Sequence, residues 1–446
     1  MIYNIDENIN KTAIIHNDKK YSFEDLSFEI KKYCHEIDVI KIKNGEIVVI
    51  LGDYSFNAIA LFIALYIKKA ILVPITTKVI TEIEERIEQV NADWIWNLDN
   101  NKINKYEKKQ FIDTHQLIID LNNKEAAGLI LFSSGSTGKA KSMLHNLDNL
   151  VSSHNGKKRK DLIFLIFLMF DHIGGLNTLL NCLASGATMV IPKSRKPEEI
   201  CELIEKYSIN ILPSSPTFLN LIIISGAFRK FNLESIKMIT YGTEPMPETL
   251  LIKLKDVFKK AKFLQTFGTS ETGIFKTTSL SSTSTFLKFD DPDQEYKIVN
   301  NELWLRSKTQ IIGYMNHTNE SFTSDGWFKT GDVVEEIEGG FMKIIGRAKE
   351  VINVGGEKVL PEEVESVILE LPEISDCLVY GIKNTITGQM VGADILPIKN
   401  IDLSHLKISL KKHCQLKLAS YKVPIKINFV DKINYTERFK KIRNLS

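Results

Sequence analysis

The sequence has almost no net charge: 57 Lys and Arg stand against 55 Asp and Glu in 446 residues, which leaves +2. A dedicated nucleic-acid binder needs a surplus of cations facing phosphates, so that class is excluded. Cysteine is scarce as well. Cys34, Cys182, Cys201, Cys377 and Cys414 are odd in number, widely spaced and without CxxC or Cys/His spacing. That argues against a disulfide framework or a zinc site, and for a reducing compartment. The N-terminal MIYNIDENINKTAI lacks a basic stretch followed by an apolar run, so no secretory signal is expected. Long apolar runs are missing too. The most apolar one, Ile163 to Phe170, stops at Asp171 after eight residues, far short of the roughly 20 that a membrane span needs. A cytoplasmic protein with no integral membrane segment is expected. There is no repeat of solenoid period.

What is present is ordinary globular material, 43% hydrophobic and 25% charged, enough apolar content to offset the entropy of ordering. At this length more than one core is expected. Ser22-Phe23-Glu24-Asp25 has the form of a capping box, with Leu26, Ile30 and Tyr33 at helical spacing behind it. Glu46–Leu51 and Ala70–Ile75 are continuous apolar runs around a helical stretch from Phe56 to Ile67. The unit recurs as a Leu162–Phe170 strand, a Leu176–Ala184 helix, a Thr188–Ile191 strand, a Glu198–Tyr207 helix and an Ile209–Leu212 strand. Runs without in/out alternation suit a parallel sheet covered on both faces, and the alternation of strand and helix predicts an α/β architecture. After about residue 275 the chain becomes polar and β-rich. Beyond Gly346 a mixed α+β stretch ends in a basic tail: Ser404 to Ser446 carries eleven Lys and Arg against Asp431 and Glu437. The predicted layout is a large N-terminal domain, 1–346, with layered α/β sheets and a β-rich subdomain, then a small mobile α+β domain, 347–446.

The sharpest local signal is Ser133-Ser134-Gly135-Ser136-Thr137-Gly138-Lys139-Ala140-Lys141, entered from the apolar run Leu129–Phe132. Glycines let backbone approach an anion, hydroxyls and N–H groups donate to phosphate oxygens, and lysine supplies charge. It is not a Walker A loop, because Ser133 stands where that motif has its first Gly and Ala140 follows the Lys. Four more segments follow: Tyr241-Gly242-Thr243-Glu244-Pro245-Met246, Phe267-Gly268-Thr269-Ser270-Glu271-Thr272-Gly273, Trp327-Phe-Lys-Thr-Gly-Asp332, and Gly346-Arg347 through Lys349, Gly355 and Gly356 to Glu365. In this order the five segments resemble the AMP-forming adenylating superfamily of acyl- and aryl-CoA synthetases, stand-alone adenylation domains and luciferases. Ala140 stands for the family's usual Pro, Ser142 for its Gly and Ser270 for its Thr.

The resemblance implies roles. Ser133, Ser134, Gly135, Ser136, Thr137, Gly138 and Lys141 would hold ATP phosphates. Gly242, Thr243 and Glu244 with Phe267, Gly268, Thr269 and Ser270 would surround the adenine, with Phe267 able to stack on it. Glu271 would be catalytic as a ligand of Mg²⁺, a hard cation that takes oxygen donors. Asp332 would accept from the ribose hydroxyls and Arg347 contact the nucleotide. Lys349 would be the hinge, and Gly355 and Gly356 would line a tunnel for the thiol of CoA or phosphopantetheine. Phe170-Asp171-His172-Ile-Gly-Gly175 resembles the His-x-x-Gly segment of CoA ligases, where His172 gates an acid pocket shared with Tyr241. Asp171 also fits the Phe-Asp pair of amino-acid-activating domains, in which the Asp holds an ammonium. At the end of the chain, Asn434-Tyr-Thr-Glu-Arg-Phe439-Lys440-Lys441-Ile-Arg443 occupies the place of the family's Gly-Lys-x-x-Arg. Lys440 would then be the catalytic lysine, with Lys441 the alternative register; Phe439 and Asn434 replace the usual Gly and Pro.

The expected activity is ATP-dependent activation of a small-molecule carboxylic acid, whether fatty, aryl or amino acid, to an acyl-adenylate with release of pyrophosphate, then transfer to CoA or to an acyl carrier protein. Adenylation without thiol transfer, an amino-acid adenylation domain and a decayed nucleotide-binding relative remain as alternatives, and a homodimer is left open.

Overall fold

A computed structural model describes residues 10–108, 113–133, 140–158, 161–291 and 293–443. The first layer is a seven-stranded sheet in the order Lys262–Gln265, Met238–Tyr241, Ile211–Ser214, Ile163–Leu165, Thr188–Ile191, Thr12–His16, Lys19–Ser22. All its neighbours are parallel except the last pair, a hairpin. The second runs Gly313–Tyr314, Lys141–Asn146, Gly128–Ser133, Ile71–Ile75, Ile47–Leu51, Trp94–Asn97, Lys102–Lys105, parallel at its centre and antiparallel at both edges.

Helices fill the space between the two sheets. Phe56–Ile67 buries nine of its residues on every side, as a helix without a polar face must. Phe23–Ile40 opens on the expected capping box, with the Asp25 N–H donating to Ser22 Oγ and Asp25 accepting from the Ser22 N–H. Its buried side, Leu26, Ile30, Tyr33 and Ile37, joins residues of both sheets in one core.

A third, wholly antiparallel sheet of six strands, Thr277–Ser279 through Phe341–Arg347, has its own core around Phe275, Phe289 and Met342. The small C-terminal domain packs Pro361–Ile368 and Leu403–Lys417 on a sheet led by the long pair Ile374–Asn384 and Gly388–Pro397. Its core is drawn from residues 352 to 427. Among the described residues no helix is long and apolar enough to cross a membrane.

One expected element is shorter than its apolar run. The strand predicted over Leu162–Phe170 is only Ile163–Leu165; beyond Ile166 the chain leaves the sheet. The run stays apolar because its residues are buried in another way: Phe170 lies 4.7 Å from the Tyr54 ring and 5.7 Å from Phe62. The turn that follows needs Gly175. A Cβ there would meet the Met169 carbonyl oxygen at 2.1 Å. Gly175→Ala is therefore expected to destabilise by about 1–3 kcal/mol through overpacking, although alanine is the better helix former. A fall in the urea midpoint checks this; an unchanged or higher midpoint would show that the turn yields.

Candidate functional site

The Gly-rich loop closes a hairpin. Ser133 and Lys141 are the last pair of the antiparallel strands Gly128–Ser133 and Lys141–Asn146. Ser134, Gly135, Ser136, Thr137 and Gly138 lie outside the described residues. At the base of the loop the Lys141 ammonium sits 5.3 Å from the centre of the Tyr314 ring, and the Tyr314 hydroxyl donates to Glu271 Oε1 at 2.9 Å. Lys141, Tyr314 and Glu271 form one group.

Two close backbone approaches shape the neighbouring turns. A Cβ on Gly242 would lie 2.6 Å from the Thr266 carbonyl oxygen, and one on Gly268 would lie 2.4 Å from that of Gly273. Thr243 follows at φ 75°, a strained conformation for a β-branched residue. Glu244 accepts from the Thr217 N–H at 2.7 Å, and burial pushes its carboxyl upward. Phe267 pairs with Phe275 across a short hairpin and leans on Phe289 at 5.8 Å. Thr269 bonds to Thr272 at 3.0 Å, which holds the turn carrying Ser270 and Glu271.

Asp332 is the most informative carboxylate. It faces Arg347 across the register of strands Phe328–Ile337 and Phe341–Arg347, with Nε 2.9 Å from Oδ1. It is 3% exposed, and its Oδ2 has no hydrogen-bond partner. Burial pushes this carboxyl upward, opposed by Arg347 and Lys440. A buried acceptor without a donor costs about 1–3 kcal/mol, so the atom suits a ligand hydroxyl. Between the domains lies a cavity of about 300 Å³, lined by Thr243, Glu244, Arg347, Glu362, Asp376 and Lys440 among others. Lys440 faces this seam: burial and the nearby Arg347 lower its pKa, while Glu244 and Asp332 oppose them.

Lys441 borders the same cavity, but its ammonium is already held. Its ammonium meets Asp376 at 2.8 Å, the Cys377 carbonyl at 2.7 Å and Glu365 at 3.6 Å. Burial works against this charge, but the carboxylates outweigh it and hold the pKa well above the usual lysine range. Arg443 is bound nearby by Glu365, Glu362 and Glu350. Lys349 sits in the short turn Ala348–Glu350 that joins the two domains. Gly355 and Gly356, at φ 61° and 95°, form an exposed hairpin tip and do not line the seam cavity.

On the acid side, His172 caps the helix Ile173–Ser185, its Nδ1 accepting from the Gly174 N–H at 3.3 Å. Burial, with Arg438 and Lys440 adding to it, lowers its pKa to about 3, so it is neutral at pH 7. Asp171 is buried; its Oδ2 lies 3.3 Å from Arg438 and 3.7 Å from Arg86, and its Oδ1 is unpartnered. The Tyr241 side chain is fully buried in the core beneath this region, and burial pushes its phenol upward. Sequence reasoning passed over Arg438, Arg86 and Tyr314. Arg438 had a readable signal, the basic cluster around Lys440; the other two are joined to the site only by the tertiary fold.

These parts lie around a cleft between a large α/β domain and a small C-terminal one. The AMP-binding enzyme model matches residues 3–305, and the AMP-binding enzyme C-terminal domain model matches residues 363–440. The chain belongs to the AMP-binding enzyme family. It is 26% identical to the 2-succinylbenzoate–CoA ligase of Bacillus licheniformis, over 95% of this chain and 94% of that one. It is 29% identical to a probable CoA ligase of Humulus lupulus over 70% of its length, a match that spans 61% of the hop protein. Its fold is that of an anthranilate–CoA ligase solved with anthranoyl-AMP (TM-score 0.83, 20% identity, 98% and 94% of the two chains). It is likewise that of the o-succinylbenzoate–CoA synthetase of Bacillus subtilis solved with its acyl-adenylate (TM-score 0.79, 23% identity, 99% and 96%).

Asp332→Ala is expected to weaken AMP binding by about 1.5–3 kcal/mol for each hydroxyl contact to the charged acceptor. The fold should persist, because Arg347 is half in solvent and can rehydrate. Calorimetry with AMP checks it; undiminished affinity would remove Asp332 from the nucleotide site.

Proposed function

We propose that the site runs two half-reactions in two domain arrangements. In the first, a carboxylate oxygen attacks the α-phosphorus of ATP; the bond from the α-phosphorus to the bridging oxygen breaks and pyrophosphate leaves with the electron pair. Positioning and charge neutralisation carry most of such chemistry. Asp332 holds the ribose, the hairpin loop with Lys141 holds phosphates, and Lys440 bridges the carboxylate and the α-phosphate, where charge develops. The observation that carries this reading is the orphaned Oδ2 of Asp332, whose other oxygen pairs with the Arg347 that lines the seam cavity together with Lys440.

Mg²⁺ is the expected companion of ATP. Such an ion is commonly held by one or two carboxylates plus substrate phosphates and water; Glu271, whose Oε1 accepts from Tyr314, would be the carboxylate that holds it, and the ion would supply charge neutralisation on the phosphates.

In the second half-reaction a thiol sulfur attacks the acyl carbon, AMP leaves, and the thiol proton passes to solvent. The small domain turns about Lys349, withdrawing Lys440 and bringing the Gly355-Gly356 tip to the cleft. The exposed position of that tip supports an alternation of this kind. Coenzyme A is the acceptor that the relatives' names favour; a phosphopantetheine on a carrier protein presents the same thiol arm. An amino-acid substrate is disfavoured, since Arg438 and Arg86 already face Asp171 and would repel an ammonium. We place the reaction in the cytoplasm, in keeping with five free cysteines. No step calls on a second copy of the chain.

Lys440→Ala should cut ATP–pyrophosphate exchange by roughly 10²–10³, the scale of losing one transition-state donor, yet still pass a supplied acyl-adenylate to thiol at near wild-type rate. Lys441→Ala should instead destabilise the small domain by about 3–5 kcal/mol, because it strands buried carboxylates. Equal loss of both half-reactions in Lys440→Ala would contradict the alternation. Full exchange in that variant would contradict the role of Lys440.

A further inference from the structure

The tail hairpin delivers more than Lys440 to the large domain. Its turn is closed by the Thr436 N–H donating to the Lys440 carbonyl and the Phe439 N–H donating to the Thr436 carbonyl, both at 2.9 Å, with Phe439 at φ 54°. A bulky residue stays in the left-handed region only where its surroundings hold it. Here those surroundings belong to the other domain. The Phe439 ring centre lies 5.4 Å from Phe167 and 5.0 Å from Phe218, both buried in the large-domain core. Its carbonyl accepts from Ser215 Oγ at 3.5 Å. Next to it, Arg438 reaches the buried Asp171 at 3.3 Å.

Docked in this way, the ring closes the space beside His172. What remains is a cavity of about 20 Å³ bounded by His172, Met169 and Thr243 on one side and by Arg438, Phe439 and Lys440 on the other. That is room for about one or two water molecules. Thr243, at φ 75°, means that a strained non-glycine residue from each domain meets here, and such strain concentrates at ligand clamps.

We infer that Phe439 is a specificity-determining wall of the acid pocket, carried in by the small domain, and that it confines the enzyme to compact carboxylates. This rests on the adenylation reading above. A longer acid can enter the cleft before the hairpin docks, but its chain then occupies the place of the ring and keeps Lys440 from the α-phosphate. Selection is therefore exercised when the domains close, and long acids bind without reacting.

The test is ATP–pyrophosphate exchange with straight-chain acids from acetate to decanoate, using the wild-type chain, Phe439→Gly and Phe439→Ala. In the wild type, kcat/KM is expected to fall by roughly tenfold or more for a methylene too many beyond butyrate. In Phe439→Gly, hexanoate and longer acids should gain at least roughly tenfold relative to acetate, with Phe439→Ala intermediate. Transfer of a supplied acyl-adenylate to CoA reports that each variant is folded. A wild type that prefers octanoate or decanoate overturns the inference. So does a Phe439→Gly profile of unchanged shape whose rates fall alike for every acid, because the residue would then only position Lys440. If no straight-chain acid supports exchange in the wild type, the inference is overturned, and the adenylation reading falls as well only if benzoate and other aryl acids also give no exchange.

Discussion

The anchoring of Lys441 in the small domain sets everything that happens at the seam. Asp376, Glu365 and the Cys377 carbonyl hold its ammonium from three sides, and Tyr435, bridged to Lys441 across the hairpin, bonds to the same Asp376 at 2.5 Å. Breaking such a buried pair is far costlier than its net contribution suggests, so the register of the tail cannot drift. With Lys441 held there, Lys440 borders the cleft beside it, Phe439 meets the aromatic core of the large domain and Arg438 reaches Asp171. In the proposed reading, two carboxylates far upstream in the sequence thereby leave Lys440 as the reactive lysine.

The nucleotide side depends on a comparable constraint. Strand pairing puts Asp332 and Arg347 opposite each other, and Arg347 ends the last strand before the joining turn. The orphaned oxygen of Asp332 thus lies on the carboxylate that pairs with Arg347, which lines the inter-domain cavity together with Lys440. Unsatisfied buried polar atoms are rare in folded proteins; in the proposed reading a ribose supplies the missing donors.

Much of this was legible from the sequence. The capping box at Ser22, the buried helix after Phe56 and the change of texture near residue 275 follow from local pattern, and each appears in the fold. Length was legible less well. The run Leu162–Phe170 could not reveal that three residues form strand and the rest a buried turn, because periodicity does not separate two kinds of complete burial. Of the motif residues, Thr243, Glu244, Arg347 and Lys440 line one cavity, but what surrounds the motifs does not lie near them in sequence. Tyr314 supports Glu271 from 43 residues away, and Arg86 approaches Asp171 from another helix. Phe439 read simply as a departure where the family carries Gly. Its φ of 54° explains why glycine is usual there, and its packing against Phe167 and Phe218 explains how phenylalanine is held.

Domain alternation around a fixed tail register is the central claim, and an inter-domain distance tests it most directly. Spin labels can be placed at Ile224 on the large domain and Ile408 on the small one, both exposed, after Cys34, the one half-buried cysteine, is replaced by serine. With ATP and a non-reactive acid analogue the distance distribution should be single and narrow, set by the docked hairpin. Addition of CoA to a stable acyl-adenylate analogue should populate a second, distinct distance. One unchanging distribution under both conditions would contradict the alternation, and the thiol would then have to reach the acyl group with Lys440 still in place.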